Sequence, residues 1–376
     1  MPFSFTSSCK SLEQALSKAT SVLSVASGQM QTYCLQAAKT GLNVIGFTAD
    51  TFVSVAVDDV SAITGTGILS FDLKIMQGTI KGRSSMIFTF TDSVLKFKLE
   101  KGKYEGDFVT LPITDEQTAL IKEFKTNSAA DGQDVPREVV NSIKEGLKLT
   151  SVKDVYTDSY LNSFLILSKG VLSVSCFDNH HFGFYRVKVA ASELNFRIAL
   201  PSSHFNVIDK VSVGVDSLKF SISDASLRVS GKGFTVVLPA VQTKEENYSM
   251  VKDFVASLKK PVLSSAYNQD HLKTLISNLY TYYGENTKFT FKYKKGAATV
   301  AVEFKTASGS ASDSLKIEAA ADAFEFKIDP RLLKDTTSLL DGQGDTRIEY
   351  IKDHVLVLRA KTAGNAQVVL VNSLSE

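Results

Sequence analysis

The sequence predicts an α+β protein of three similar domains, each built from two helices and antiparallel sheets. Two observations carry this: strand motifs return with a period of about 130 residues, and every copy places one amphipathic helix at its start and another midway. A chain of 376 residues is long for one core and suits two or three domains. The period is far too long for a solenoid unit, so each copy needs a core of its own.

The elements follow in the same order in each copy. The first helix is marked by apolar residues at three-and-four spacing: Leu12, Ala15, Leu16, Ala19, Val22 and Leu23, then Val139, Val140, Ile143 and Leu147, then Leu272, Leu275, Ile276 and Leu279. Pro136 suits the first turn of the second of these. A glycine turn and an alternating strand come next, in KTGLNVIGF (39–47), SKGVLSVSCF (168–177) and KKGAATVAVEF (294–304). Gly41, Gly170 and Gly296 lie 129 and 126 residues apart. The second helix follows a further strand, in FDLKIMQGTIKG, LPSSHFNVIDKV and IDPRLLKDTTSLL, with Asp72, Ser202 and Asp329 as N-caps. A hairpin turn comes after it at Asp92, Asp224 and Asp353, spaced 132 and 129. Each copy closes on a short apolar strand, FVTLPI (108–113), FTVVLPA (234–240) and QVVLVN (367–372), in which Pro112, Pro239 and Val371 are 127 and 132 residues apart. Three markers give one period.

The expected domains are 1–113, 114–242 and 243–376, with polar connectors at 114–134 and 243–262 that have room for a short helix. Antiparallel sheets in such units leave edges of unpaired N–H and C=O groups. Pairing each domain with the next until the assembly closes removes those edges, which points to a ring, and two chains would supply six domains.

Composition excludes more than it assigns. A net charge of +2 argues against a protein that coats nucleic acid, while leaving room for a local basic surface. No apolar run is long enough for a membrane span and the N-terminus lacks a secretory pattern, so the protein is expected to remain in the cytoplasm. Three cysteines without CxxC spacing read as reduced thiols, two of them in strands. No phosphate-loop, nucleophile-elbow, zinc-protease or dinucleotide motif occurs, so neither an enzyme activity nor a cofactor is expected. His180 and His181 in DNHH read as a turn rather than a metal site, because no further ligand cluster stands near them. KFTFKYKK (288–295) has the basic and aromatic mix of a single-strand binder, yet its alternation and Gly296 read as a hairpin strand.

The order of these segments resembles the bacterial sliding clamp, the beta subunit of DNA polymerase III, in a divergent and phage-like form. LNVIGFTADTF resembles the first-domain strand leading into Ala-Thr-Asp-Leu-Glu, and FVTLPI resembles the strand ending Ser-Thr-Leu-Pro. SVSCFDNHHFGFYRV resembles the second-domain Thr-Asp-Gly-His-Arg-Leu-Ala pattern, and LISNLYTYYG the Ile-Leu-Ser-Asn segment of the third domain. The likeness is collinear over the chain. Phe177, His181 and Phe182 depart from the family's Thr, Arg and Leu, and the Phe-Pro-Asp-Tyr segment before VVLP is missing.

The resemblance implies a clamp fold and a head-to-tail homodimeric ring around duplex DNA. Such a ring tethers a polymerase, is opened by a clamp-loader ATPase and does no covalent chemistry. It implies that helices line the hole and present Lys10, Lys18, Lys74, Lys81, Arg83, Arg137, Lys144, Lys148, Lys210, Lys273, Arg331 and Lys334 to phosphates. Three of the six helical segments carry +1, +2 and +1, and the others are about neutral. It further implies a cleft for a short client peptide at Phe177, His180, His181, Phe182, Val237, Val368 and Leu370, and a subunit interface at Phe97, Leu99, Leu275 and Ile276. Three other readings stay open: a ring-forming phage structural protein, a monomeric processivity factor that holds DNA on one basic face, and an enzyme whose site is scattered across domains.

Overall fold

The computed structural model describes all residues except 1, 27, 127–131, 151–161, 178–179, 224, 242–244, 259–260, 282–286, 307–308, 318–321, 352–354 and 375–376. The chain opens with β1 (Phe3–Ser8), α1 (Cys9–Leu23), β2 (Thr32–Ala38), β3 (Gly41–Phe47), β4 (Phe52–Ala56), β5 (Val60–Thr64) and β6 (Gly67–Ser70). It continues through α2 (Leu73–Ile80), β7 (Ser85–Thr91), β8 (Val94–Leu99) and β9 (Glu105–Val109) to a connecting helix α3 (Asp115–Thr126). The same order then recurs in β10 (Gln133–Pro136), α4 (Arg137–Thr150), β11 (Asn162–Ser168), β12 (Val171–Phe177), β13 (His181–Lys188) and β14 (Phe196–Pro201). It goes on with α5 (Ser202–Val211), β15 (Ser217–Ile222), β16 (Ser226–Gly231) and β17 (Phe234–Pro239), and reaches a second connecting helix, α6 (Glu245–Ser257). The third round comprises β18 (Leu263–Ala266), α7 (Gln269–Tyr280), β19 (Phe289–Tyr293), β20 (Thr299–Thr306), β21 (Gly309–Lys316) and β22 (Phe324–Ile328). It closes with α8 (Pro330–Leu339), β23 (Gly344–Ile351), β24 (Val355–Lys361) and β25 (Gln367–Ser373).

The markers fall where the repeat predicts. The glycine turns join β2–β3, β11–β12 and β19–β20, each an antiparallel hairpin. Lys169 and Gly170 both have positive φ, which the tight two-residue turn into β12 requires. The second marker joins β7–β8, β15–β16 and β23–β24. Asp92 adopts positive φ there, while Asp224 and Asp353 lie outside the described residues. Asp72 and Asp329 cap their helices through the Ile75 and Arg331 amides. Ser202 opens α5 from within as its first residue, and Pro136 ends β10 instead of entering α4. KFTFKYKK supplies β19. The connectors hold full amphipathic helices, α3 and α6, because each has an apolar sheet face to cover. Among the described residues β5 has no counterpart in the later rounds; it pairs with β1.

Two of the four sheets are shared between successive copies. One eight-stranded sheet runs β10-β15-β16-β17-β4-β3-β2-β6, and β17 of the second copy pairs with β4 of the first. The other runs β14-β11-β12-β13-β25-β24-β23-β18, and β25 of the third copy pairs with β13 of the second. The closing motif is therefore the seam strand, which explains why it returns. The remaining sheets are β5-β1-β7-β8-β9 and β21-β20-β19-β22. The chain forms two compact units that cut through the second copy, Met1–Arg137 with Ser203–Ala240 and Glu138–Ser202 with Val241–Glu376. No helix among the described residues is long and apolar enough to cross a membrane.

Each shared sheet is covered on both faces. In the first unit Gly46 receives Leu23 of α1 on one face, while Cys34, Ile45, Phe47, Phe52 and Val237 pack against Ile121 and Phe124 of α3 on the other. In the second unit α4 and α8 lie on one face. A Cβ at Gly183 of β13 would come within 2.5 Å of the Thr150 carbonyl oxygen at the end of α4, so glycine is what lets that helix end seat on the strand. Beside it the Tyr185 hydroxyl donates to Glu145 of α4 at 3.1 Å, and Asn372 of β25 donates to Thr336 of α8 at 3.2 Å. The opposite face belongs to α6.

Candidate nucleic-acid interface and partner groove

The helices keep apolar faces on their sheets and turn polar faces away. On α1 the stripe from Leu12 to Leu23 is buried, while Lys10 is exposed and Lys18 half-exposed. Lys74 and Lys81 are exposed at α2, Lys144 and Lys148 on α4, Lys210 on α5 and Lys334 on α8. The Lys334 ammonium lies 4.2 Å from the centroid of the Tyr280 ring.

The other four predicted phosphate contacts are held by neighbours. Arg83 donates to the Gly78 and Lys81 carbonyls at 3.1 and 3.0 Å, closing the end of α2, and its guanidinium lies 3.8 Å from the Tyr104 ring centroid. Arg137 pairs with Asp209 at 2.8 Å and donates to Ser212. Lys273 pairs with Asp341, and Arg331 with Asp329 at 3.0 Å. The ion pairs of Arg137, Lys273 and Arg331 already satisfy much of what a phosphate would offer them, so Lys10, Lys18, Lys74, Lys81, Lys148 and Lys210 are the better-placed group.

The residues expected to line a peptide cleft fall on opposite faces of the seam sheet. Val368 and Leu370, expected on one wall of that cleft, sit in line with Asn372, whose side chain reaches α8, and they are fully buried on the helix face. Their neighbours Val369 and Val371 face the other way, beside Phe182, Phe184 and Val357, with Phe177 packed alongside. His181 is buried on the helix face, its Nδ1 3.5 Å from Asn372 Oδ1, whereas His180 is exposed. Val237 belongs to the other shared sheet, under α3. Asp178 and Asn179 of DNHH lie outside the described residues.

The outer groove is filled. Val251, Phe254 and Val255 of α6 and Leu258 just beyond its end pack onto Phe177, Phe182, Phe184, Val369 and Val371. The Phe254 ring meets Phe182 edge-on at 4.8 Å. Arg359 donates from Nη2 to the Leu258 carbonyl at 3.3 Å and from Nε to Glu349 at 2.7 Å. The other connector is anchored in the same way: Arg228 donates to the Phe124 carbonyl at the end of α3. Arg228 stands opposite Val237, and Arg359 opposite Val369, in equivalent ladders. Sequence reasoning missed both arginines; their one visible signal is a cation recurring two strands from the mid-copy helix.

Of the residues expected at a subunit interface, Phe97 and Leu99 lie inside a sheet and Leu275 and Ile276 inside a helix's buried stripe. β8, which carries Phe97 and Leu99, is hydrogen-bonded on both sides, so it is not the edge; the edge is β9. Leu275 and Ile276 are fully buried, because they form the inward stripe of α7 with Leu272 and Leu279. Apolar residues remain in water along and just after the β9 edge: Val109 is 73% exposed and Leu111 50%. β21 forms the corresponding edge of the third copy.

Three rounds of two helices and antiparallel strands, merged at shared seams, define the DNA-clamp fold. Among solved structures the chain is similar to a putative DNA polymerase III beta subunit from Eubacterium rectale, with 10% identity, a TM-score of 0.77 and 100% of both chains covered. It is similar to the DNA polymerase sliding clamp of Bacillus subtilis, at 9% identity and 0.76 over 100% of both chains, and to the DNA polymerase III subunit beta of Pseudomonas aeruginosa, at 12% and 0.78 over 99% of both. The chain has the sliding-clamp fold from end to end, α+β with mostly antiparallel sheets. No protein-family profile and no curated protein matches its sequence.

Proposed function

We propose that this protein is a sliding clamp, a non-enzymatic processivity factor that encircles duplex DNA and tethers a replicative polymerase. The observation that supports this best is the full-length likeness to sliding clamps at TM-scores of 0.76 to 0.78. The seams add a structural argument. β17 closes on β4 and β25 closes on β13, while the equivalent pair, β9 and β21, is left with open edges. On this reading β9 of one chain pairs with β21 of a second, and a head-to-tail homodimer of three-domain chains, divided at 1–113, 114–242 and 243–376, removes both edges. The exposed Lys10, Lys18, Lys74, Lys81, Lys144, Lys148, Lys210 and Lys334 then supply loose, salt-dependent attraction to phosphates without fixing a register. Client segments dock on the outer face around Phe182, Phe184, Val369 and Val371. A loader ATPase opens the ring, which works in the cytoplasm.

The test is retention on plasmid DNA in the presence of a loader. A clamp stays on a closed circle and is lost when the circle is cut. Retention indifferent to cutting would replace the ring by a monomeric face-binder, and no retention on either form would remove the DNA reading altogether.

A further inference from the structure

We propose that α6 is a displaceable strap, an internal ligand that closes the outer groove of the β13–β25 seam until a partner segment of the same chemistry takes its place. The inference rests on the client-groove reading for its biological meaning, but its physical content is independent of it. Val251, Phe254, Val255 and Leu258 recur at i, i+3, i+4 and i+7, a single stripe, and that stripe is what meets the groove. The opposite side of α6 is solvent: Met250 is 51% exposed, and Lys252, Asp253, Ala256 and Ser257 are exposed. A helix of 13 residues is marginal alone in water, so α6 keeps its form through the groove and through the Arg359 contact just beyond its end.

The floor does not depend on the strap. β13 is hydrogen-bonded to β12 and β25, β25 to β13 and β24, and the far face of the sheet is held by α4 and α8. Lifting α6 therefore exposes Phe182, Phe184, Val369 and Val371 without unpairing a strand. The occupant also specifies its competitor: an amphipathic helical segment with apolar residues at the spacing of 251, 254, 255 and 258, ending in a carbonyl that Arg359 can reach.

The experiment uses the full chain and a fluorescein-labelled synthetic peptide spanning residues 242–260. In the variant Val251→Asp/Phe254→Asp the strap is disabled, and the peptide is expected to bind one-to-one, at least tenfold tighter than it binds the unaltered protein. Equal binding to both proteins, or no binding to a variant whose circular dichroism and thermal transition match the parent, would overturn the proposal. Hydrogen exchange on the unaltered protein gives a second reading free of folding artefacts. Amides of α6 should exchange at least tenfold faster than those of β13 and β25, and exchange at one common rate would show that no strap opens. Plasmid retention by the same two proteins keeps the readings apart, since loss of retention by both would sink the clamp function and leave the strap result standing.

Discussion

Val109 and Leu111 leave 73% and 50% of their surface in water in the single chain, along and just after the edge strand proposed to meet a second subunit. Fully burying a Val or Leu side chain is worth about 1.5–3 kcal/mol. Scaled by these exposures, the pair contributes about 2–4 kcal/mol at one junction, and a closed ring of two chains has two such junctions. Val109→Glu/Leu111→Glu should thus weaken dimerisation by about 4–7 kcal/mol, or roughly three to five orders of magnitude in Kd. On the same scale the fractions already covered in the monomer contribute about 1–2 kcal/mol, so the monomer's stability should fall by no more than about that amount, well short of the effect on dimerisation. Sedimentation equilibrium from nanomolar to micromolar protein, with a thermal melt beside it, reads both quantities. A variant that dimerises like the parent would refute the edge-pairing argument, as would a parent that is monomeric throughout. Leu275→Lys is the contrast: at 0% exposure its ammonium would be buried in the α7 stripe, and the expected result is unfolding of that unit rather than a clean monomer.

Two further outcomes follow from the same geometry. Lys74→Ala/Lys81→Ala should lower the slope of log affinity for DNA against log salt by up to about 2 per chain, since each phosphate contact contributes about 0.9; Arg83→Ala, which removes a helix-end cap and a ring contact, should instead lower stability, and an unchanged slope in the lysine variant would move α2 away from DNA. Cys9, Cys34 and Cys176 are all buried, and burial pushes the Cys34 thiol up to about 12, so a thiol-specific chromogenic reagent should read none of them in the native protein and three after denaturation. One rapidly reacting native thiol would show that α3 lifts from the sheet over Cys34.

The repeat was legible because each copy needs the same punctuation. Gly170, Asp72 and Asp329 answer to local backbone demands that short sequence windows reveal. The faces of the seam strands were not legible. QVVLVN offers no alternation, because β25 is buried on both sides, against α4 and α8 on one and α6 on the other. A strand covered twice reads as a continuous apolar run, and nothing in it distinguishes Val368 from Val369. The first copy differs in its pairing: its closing strand, β9, is hydrogen-bonded to β8 alone and leaves Val109 exposed, where β17 and β25 have a strand on either side. Arg228 and Arg359 were hidden in another way, since only the fold brings each to a helix end more than 100 residues distant.

The shared seams also set a timetable for synthesis. β4 must wait for β17, whose Phe234 pairs with Val55, so an uncharged edge strand, FVSVA, stays open while about 180 further residues are made. At ribosomal rates that is roughly 10–40 s, long enough for an unprotected edge to find the wrong neighbour on a sister nascent chain. α3 leaves the ribosome well before β17, and its Ile121 and Phe124 are the side chains that cover Phe52 and Ile45. The connector thus covers the apolar face of the half-built sheet first, and the β4 edge closes only when β17 arrives.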